Sequence, residues 1–98
     1  MRELDCQPRA FTPRGGGLRD ETDISFTLTG TADVTVRVYN ASGRLERVIV
    51  REQAMAPGRV TLKWNGQNEN RELVASGLYI VAVDAGGEHS EKIVAVVQ

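Results

Sequence analysis

The sequence predicts an all-β sandwich of about seven antiparallel strands. Two observations favour this class: short segments in which apolar and polar residues alternate with period two, and turn signals rich in Gly, Asn or Pro between them. No long window has a convincing helical period. The 98 residues suit a single domain, residues 1–98, in which we expect residues 1–10 to be a loosely ordered leader or linker.

The first half of the chain contains three predicted strands after an irregular segment near Ala10–Thr12. Apolar and polar residues alternate over residues 22–29 and again over residues 33–40, so each strand has one buried and one solvated face. Asn40–Gly43 is a predicted turn, because its glycine can adopt a positive φ. Residues 44–51 return as the second strand of a hairpin, and a break in their alternation predicts a β-bulge or a switch of face.

Three more strands are predicted in the second half of the chain, after Pro and Gly at positions 57–58 interrupt the pattern. Residues 59–65 alternate cleanly and direct Trp64 to the inner face. Residues 77–84 are apolar on both faces, which is typical of a central strand that is covered on both sides. Residues 90–97 form the closing strand. This spacing of short strands is typical of a β-sandwich or a β-barrel. The fold that we predict is an immunoglobulin-like or fibronectin-III-like sandwich.

The polar segment between Trp64 and Tyr79 is predicted to cross from one sheet to the other. The Trp64 indole faces inward, and the next two residues can turn sharply because both tolerate left-handed dihedral angles. Tyr79 suits the start of the next strand, where its ring can pack and its hydroxyl can bond a loop carbonyl. The residues predicted as structural anchors are Trp64, Asn65, Gly66, Gly77 and Tyr79.

Charge and cysteine content argue against several classes of function. The 12 basic and 13 acidic residues are mixed along the chain, so the basic stripe expected of a nucleic-acid-binding protein is missing. Cys6 is the only cysteine, which excludes an intrachain disulfide, and we expect its thiol to be partly exposed. No apolar run approaches the ~20 residues that span a bilayer. The short chain after Met1 is interpreted as a module cut from a longer protein that carries the export signal.

Few residues suggest a catalytic or metal site. His89 lies beside Ser90, but neighbours in one turn are not held as base and nucleophile, so no catalytic residue is predicted. Gly15–Gly17 lacks the Lys-Ser/Thr pair of a phosphate loop and is expected to be a flexible loop. Three carboxylates at the first clear strand could offer oxygen ligands for calcium, but their pattern is more typical of a solvated turn before a strand, and we predict no cofactor. These weak metal candidates are Asp20, Glu21 and Asp23.

Surface contacts are predicted at one aromatic ring and at two strand edges. Tyr39 is expected to stand alone on the outer face, where a protein or a sugar could contact it. Trp64 and Tyr79 belong to the predicted core, which leaves little of an aromatic platform for carbohydrate. The strands at 45–50 and 93–97 could offer edges that accept a strand from another chain.

Three short motifs resemble the immunoglobulin-like module of the flagellar hook-capping protein family. They are Y-N-A-S-G-R at 39–44, W-N-G at 64–66 and S-G-L-Y at 76–79, where the family pattern reads roughly Y-D-x-x-G-R, W-D-G and x-G-x-Y. The resemblance covers about residues 11–97. Similar modules lie at the C-terminal ends of large secreted bacterial proteins, and residues 11–20 also resemble the opening of gliding-associated C-terminal modules, without its acidic residue.

The resemblance implies a non-catalytic immunoglobulin-like module of a larger exported bacterial protein, placed outside the cell or at its surface. Such a module would serve protein–protein interaction, C-terminal sorting or surface attachment, with a protein or the export and attachment machinery as its partner. The alternative is a carbohydrate-binding module appended to a secreted hydrolase. Neither interpretation involves nucleic acid or a membrane span.

Overall fold

A computed structural model describes residues 1–14 and 19–98. The predicted loop at Gly15–Gly17 lies outside the described residues. The eight strands are β1 (Arg2–Gln7), β2 (Ala10–Phe11), β3 (Thr22–Leu28), β4 (Ala32–Asn40), β5 (Leu45–Met55), β6 (Gly58–Trp64), β7 (Gly77–Ala85) and β8 (Glu88–Val96).

The strands form two sheets, one with the order β1-β3-β6 and one with the order β2-β8-β7-β4-β5. The prediction of an all-β, immunoglobulin-like sandwich is confirmed, with eight strands among the described residues in place of about seven. One pairing is not antiparallel: β2 runs parallel to the end of β8, with Ala10 opposite Ala95 and Phe11 opposite Val96. The irregular segment expected near residue 10 is therefore a short strand at the edge of the larger sheet.

The first ten residues differ from the leader that the sequence suggested, because β1 is an integral strand of the smaller sheet. Leu4 and Cys6 point into the core, and Cys6 lies opposite Ile24 of β3. The alternation is hard to recognise because a register shift interrupts it, with Glu3 at a φ of 59°. The Cys6 thiol is fully buried, where partial exposure was expected, and this burial raises its pKa to about 11.

Inward-facing residues of four strands close the core between the sheets. Alternate side chains are buried along all of β3, in the middle of β4, from Tyr79 onward in β7 and at the end of β8, as the period-two pattern requires. Four inward residues of β5 and β6 are only half-buried, although they pack against the same core: Ile49, Val50, Val60 and Leu62. The sandwich is therefore more open along its β5–β6 side.

The strand bounds deviate most from the sequence prediction in β5, which continues to Met55 beyond the expected end at residue 51. Three register shifts against β4 let the strand continue past the break in its alternation. β7 was expected to be covered on both faces, and the structure corrects this: Leu78 on its outer face is 56% exposed. In the described part of the chain, the larger sheet packs against the other sheet through its inner face, and its outer face has no sheet over it.

Candidate functional site

Three aromatic rings form one cluster at the end of the sandwich where β6 stops. The Trp64 ring lies 5.5 Å from Phe11 and 5.5 Å from Tyr79, with interplanar angles of 72° and 61°. The indole N–H donates to the Gln67 carbonyl at 3.0 Å, and the Tyr79 hydroxyl donates to the Ala75 carbonyl at 2.6 Å. Since the Trp64 side chain is 1% exposed, its ring face cannot stack against a sugar.

The other anchors predicted from the sequence shape the turns at the two ends of the crossover. Asn65 Oδ1 accepts the Gln67 N–H at 3.2 Å, which tightens the turn after β6. Gly66 has a φ of 78°, and a Cβ placed there would lie 2.4 Å from Cγ of Pro13. Gly77 begins β7 opposite Val96. Position 66 therefore requires glycine for both its backbone angle and its close packing.

The crossover loop covers the first part of the β5 edge. The Glu69 N–H donates to the Glu46 carbonyl at 3.0 Å, and the Glu69 carboxylate accepts the Val48 N–H. The Arg47 guanidinium donates to the Asn68 carbonyl at 3.0 Å. Glu69 thus takes the place of a neighbouring strand, and the edge at 45–50, which the sequence offered to another chain, is partly occupied by the protein's own loop.

The second edge suggested by the sequence, at 93–97, is also covered. The Ala95 N–H donates to the Arg9 carbonyl at 2.7 Å, and the Val97 N–H donates to the Phe11 carbonyl at 3.0 Å. These bonds belong to the segment around β2, which the sequence did not place beside the closing strand. A partner strand would have to displace it to pair with this part of β8.

The outer face of the larger sheet carries an apolar row across four strands. Ile93 of β8 lies opposite Ile80 of β7, Ile80 lies opposite Tyr39 of β4, and Tyr39 lies opposite Leu45 of β5. We call these four residues the outer-face row. Leu78 lies beside it on β7, and the exposed fractions of Leu45, Leu78 and Ile93 are 44%, 56% and 59%.

A shallow depression of about 380 Å³ opens over part of the outer-face row. It is lined by two apolar residues, Ile80 and Ile93, and by the charged residues Arg9, Glu91 and Lys92. Tyr39, expected to stand alone, is half-buried among aliphatic neighbours. The sequence contained a signal for this surface, since residues 77–84 are apolar at the outward positions too, but that signal was interpreted as a covered strand.

Charged residues occupy the other half of the same face. His89 Nδ1 lies 2.7 Å from Asp84 Oδ1, and Nε2 lies 3.0 Å from Glu91 Oε2. Arg37 donates to Asp84 at 3.3 Å. Hydrogen bonds to Glu91 and Asp84 raise the pKa of His89 above its usual value. Because both ring nitrogens face carboxylates, the imidazole is not positioned to activate Ser90.

The three metal candidates lie at the start of β3, beside a lysine. The Lys63 ammonium donates to Glu21 at 2.9 Å and to Asp23 at 3.0 Å, and Asp23 also accepts a bond from Arg19 at 3.2 Å. These bonds lower the pKa of Asp23. Asp20 is exposed in the preceding bend. Lys63 thus holds the carboxylates that a cation would need, and residues 1–14 and 19–98 contain no cluster of three or more metal-ligating side chains.

The family model of the FlgD Ig-like domain matches residues 12–88, which is most of the chain. The chain belongs to the FlgD Ig-like domain family. The resemblance seen in the Y-N-A-S-G-R, W-N-G and S-G-L-Y motifs is confirmed. The family is defined by an immunoglobulin-like structural domain, and its name refers to no catalytic activity. No curated protein sequence matches the chain.

Three solved structures share the fold of this FlgD Ig-like domain. PorZ of Porphyromonas gingivalis, described as an essential bacterial surface component of the type-IX secretion system, matches with a TM-score of 0.63 and 24% identity over 97% of this chain. FlgD from P. aeruginosa has a TM-score of 0.58 and 22% identity over 78% of this chain. The alkylpurine DNA glycosylase AlkC of Pseudomonas fluorescens, solved with DNA containing an abasic-site analogue, has a TM-score of 0.64 and 14% identity over 97%.

The matched region is only part of each of these proteins. It spans 11% of the PorZ chain, 58% of the FlgD chain and 29% of the AlkC chain. At these identities the likeness shows the fold, and the fold recurs as a module within larger chains. Within the described part of the sequence, no helix is long and apolar enough to cross a membrane.

Proposed function

We propose that this FlgD Ig-like domain is a non-catalytic module of a larger exported bacterial protein and that it contacts a protein partner through the outer-face row. The observation that carries the proposal is the alignment of Ile93, Ile80, Tyr39 and Leu45 across four neighbouring strands. Contiguous exposed apolar patches on soluble domains mark interaction sites, whereas scattered apolar residues are common on any surface.

The composition of this face suits a protein interface. Aliphatic side chains surround one tyrosine, and the Arg37–Asp84–His89–Glu91 cluster and the rim around Arg9 supply charge at the periphery. Protein interfaces commonly have such an apolar centre and a polar rim. Tyrosine is also enriched among the residues that contribute most binding energy, because it combines a large apolar area with a hydroxyl.

The second part of the proposal concerns the export of the parent protein and its attachment to the cell surface. Its support is the description of PorZ as a surface component of the type-IX secretion system, together with membership of a family named after FlgD. On this basis we place the domain at the bacterial surface or outside the cell, where it serves sorting or attachment of the protein that carries it. The carbohydrate-binding alternative has weaker support, because Trp64 and Tyr79 are buried and leave Tyr39 as the accessible ring of the three.

A photocrosslinking experiment in the full-length parent protein tests the proposed surface. A photoreactive phenylalanine analogue is placed at Ile93 in the outer-face row and, as a matched control, at Gln53, which is an exposed residue of β5 outside the row. We expect protein adducts from position 93 in intact cells and not from position 53. Leu78→Glu should abolish them, because it places a charge beside the row.

The nature of the adducts distinguishes the two interpretations. Adducts with polysaccharide from position 93, lost with Tyr39→Ala, would favour the carbohydrate-binding alternative. Equal adducts from positions 93 and 53 would contradict a specific surface. Cell fractionation of the parent protein with and without this domain tests export and attachment separately, and an unchanged distribution would refute that part of the proposal.

A further inference from the structure

We propose that the free edge of β6 accepts an extended strand from another protein, which adds to the smaller sheet and covers the open side of the sandwich. This surface is distinct from the outer-face row, and the inference does not rest on the proposed function. The observations that support it are the unequal sizes of the two sheets, the regularity of β6 and the charge of its outer face.

Within residues 1–14 and 19–98, the smaller sheet has fewer strands than the larger one. It has three strands, whereas the larger sheet has four long strands and the short β2. β1 contacts β8 at one side of the sandwich, and β6 and β5 are the edge strands of the two sheets at the other side. A fourth strand beside β6 would lie over the inner face of β5.

The side chains at this side of the sandwich are less buried than those in its centre. The inward residues of β4, such as Val36, are 0% exposed, whereas Ile49 and Val50 of β5 and Val60 and Leu62 of β6 are half-buried. At one end of this side a cleft of about 130 Å³ opens between the two strands, lined by Glu21, Arg47, Ile49, Lys63, Trp64 and Asn65. Apolar side chains packed against Val60 and Leu62 would bury more of the apolar surface that the chain leaves partly open.

β6 is an edge strand with uninterrupted backbone pairing to its neighbour β3. Its seven residues pair with β3 in consecutive register without a bulge. The other edges are protected in ways that soluble proteins use against strand addition. On β5, Glu69 covers the start and Glu52, with a φ of 44°, interrupts the later part. β2 covers the end of β8, and β1 carries a register shift. Within the described residues, the backbone of β6 bonds only to β3.

The charged residues on the outer face of β6 indicate which side chains the incoming strand should carry. Lys63 is already paired with two carboxylates, whereas Arg59 donates only to the hydroxyls of Ser25 at 3.0 Å and Thr27 at 3.4 Å. Among the described residues no ion pair includes Arg59. A fitting strand therefore alternates apolar residues, directed into the sandwich, with polar residues that place a carboxylate opposite Arg59.

The same charges disfavour a second copy of this chain as the occupant. An antiparallel pairing of β6 with β6 of another copy, centred on Thr61, would place Arg59 of one copy opposite Lys63 of the other. Like charges directly opposite each other on neighbouring strands are destabilising. The occupant is thus a foreign strand with an acidic outer face.

The probe for the experiment is an octapeptide based on residues 22–29, because β3 already pairs antiparallel with β6 through this sequence. The peptide T-D-I-S-F-D-L-T carries Asp at the position of Thr27, which lies opposite Arg59 in the native register. A second peptide carries Lys at that position, and a third has the composition of the first with its apolar residues contiguous. Each is titrated into the ¹⁵N-labelled domain, with amide hydrogen exchange as a second measurement.

We expect the Asp peptide to slow amide exchange within β6 and to bind about three- to tenfold more tightly than the Lys peptide, as expected for one cross-strand charge pair. Arg59→Glu should reverse this preference, and because Arg59 is exposed the substitution preserves the fold. Leu62→Lys should prevent binding by introducing an inward charge, and Ile93→Glu should leave it unchanged, so failure of the outer-face proposal is distinguishable from failure of this one.

Several results would overturn the inference. They are unchanged exchange of the β6 amides at millimolar peptide, equal binding of the contiguous peptide, or shifts confined to residues around Ile80 and Ile93. Dimerisation of the domain through β6 in the absence of peptide would identify a second copy as the occupant and would also overturn it. If the Leu62→Lys variant does not fold, the test depends on whether Arg59→Glu reverses the preference for the Asp peptide over the Lys peptide.

Discussion

Trp64 and Tyr79, fifteen positions apart in the chain, meet edge to face with ring centroids 5.5 Å apart. One ring ends β6 in the smaller sheet and the other lies near the start of β7 in the larger sheet. Their polar atoms bond the carbonyls of Gln67 and Ala75 at the two ends of the crossover loop. The contact therefore joins the sheets and fixes both ends of the loop that connects them.

Trp64→Ala should lower the free energy of unfolding by about 3–5 kcal/mol, because it removes a buried ring and leaves a cavity. Urea denaturation followed by circular dichroism measures the change. Leu78→Ala is the matched control, since its side chain is 56% exposed, and should cost less than about 1 kcal/mol. A similar loss for both variants would show that the indole does not hold the core.

Gly66→Ala should destabilise the domain by roughly 2 kcal/mol or more, because an L side chain is strained at positive φ and would collide with Pro13. Gly30→Ala is the control, since a Cβ there would have nothing within 4 Å. Thermal unfolding of the two variants gives the comparison. Equal melting temperatures would contradict a special requirement for glycine at position 66.

Glu69→Ala should uncover the start of the β5 edge, because it removes the carboxylate that accepts the Val48 N–H. We expect faster exchange of the Val48 amide and a loss of about 1 kcal/mol in stability. Glu72→Ala, which removes an exposed carboxylate of the same loop, serves as the control. Val48 exchange unaffected by the loss of the Glu69 carboxylate would show that the loop does not protect the edge.

His89 should make the stability of the domain depend on pH. Its pKa is raised in the folded state, so the stabilisation from its bonds to Glu91 and Asp84 is fully present below the unfolded-state pKa of about 6.5 and is lost as pH rises through the higher folded value. Melting temperatures between about pH 6 and pH 9 measure this loss. His89→Gln should flatten the profile in that range, and a profile identical to the wild type would assign the dependence to another group.

Local patterns were enough to predict the strands and the direction of most core side chains. Period-two alternation placed Trp64 inward, and the structure buries it between Phe11 and Tyr79. β1 was missed because it offers only two inward apolar residues, Leu4 and Cys6, and a register shift at Glu3 disrupts the pattern. A bulge near a strand end removes the periodic signal on which the prediction depends.

The outer-face row and the free edge could not be predicted from local patterns, since both depend on the order of the strands. Ile93, Ile80, Tyr39 and Leu45 become neighbours only because the sheet is ordered β8-β7-β4-β5. The sequence likewise does not show that Glu69 covers β5 while β6 is left uncovered, because that contact joins residues 21 positions apart. Side-chain alternation reports which residues face inward, and strand order decides which of them meet.

The burial of Cys6 gives the domain a built-in chemical reporter. It is the only thiol in the sequence, it lies in β1 with no exposed surface, and its pKa of about 11 leaves almost no thiolate at neutral pH. Alkylation therefore requires an opening that exposes the thiol, so the rate of modification reports how often the structure around β1 opens. Mass spectrometry of the intact chain can measure this rate of modification without any added label.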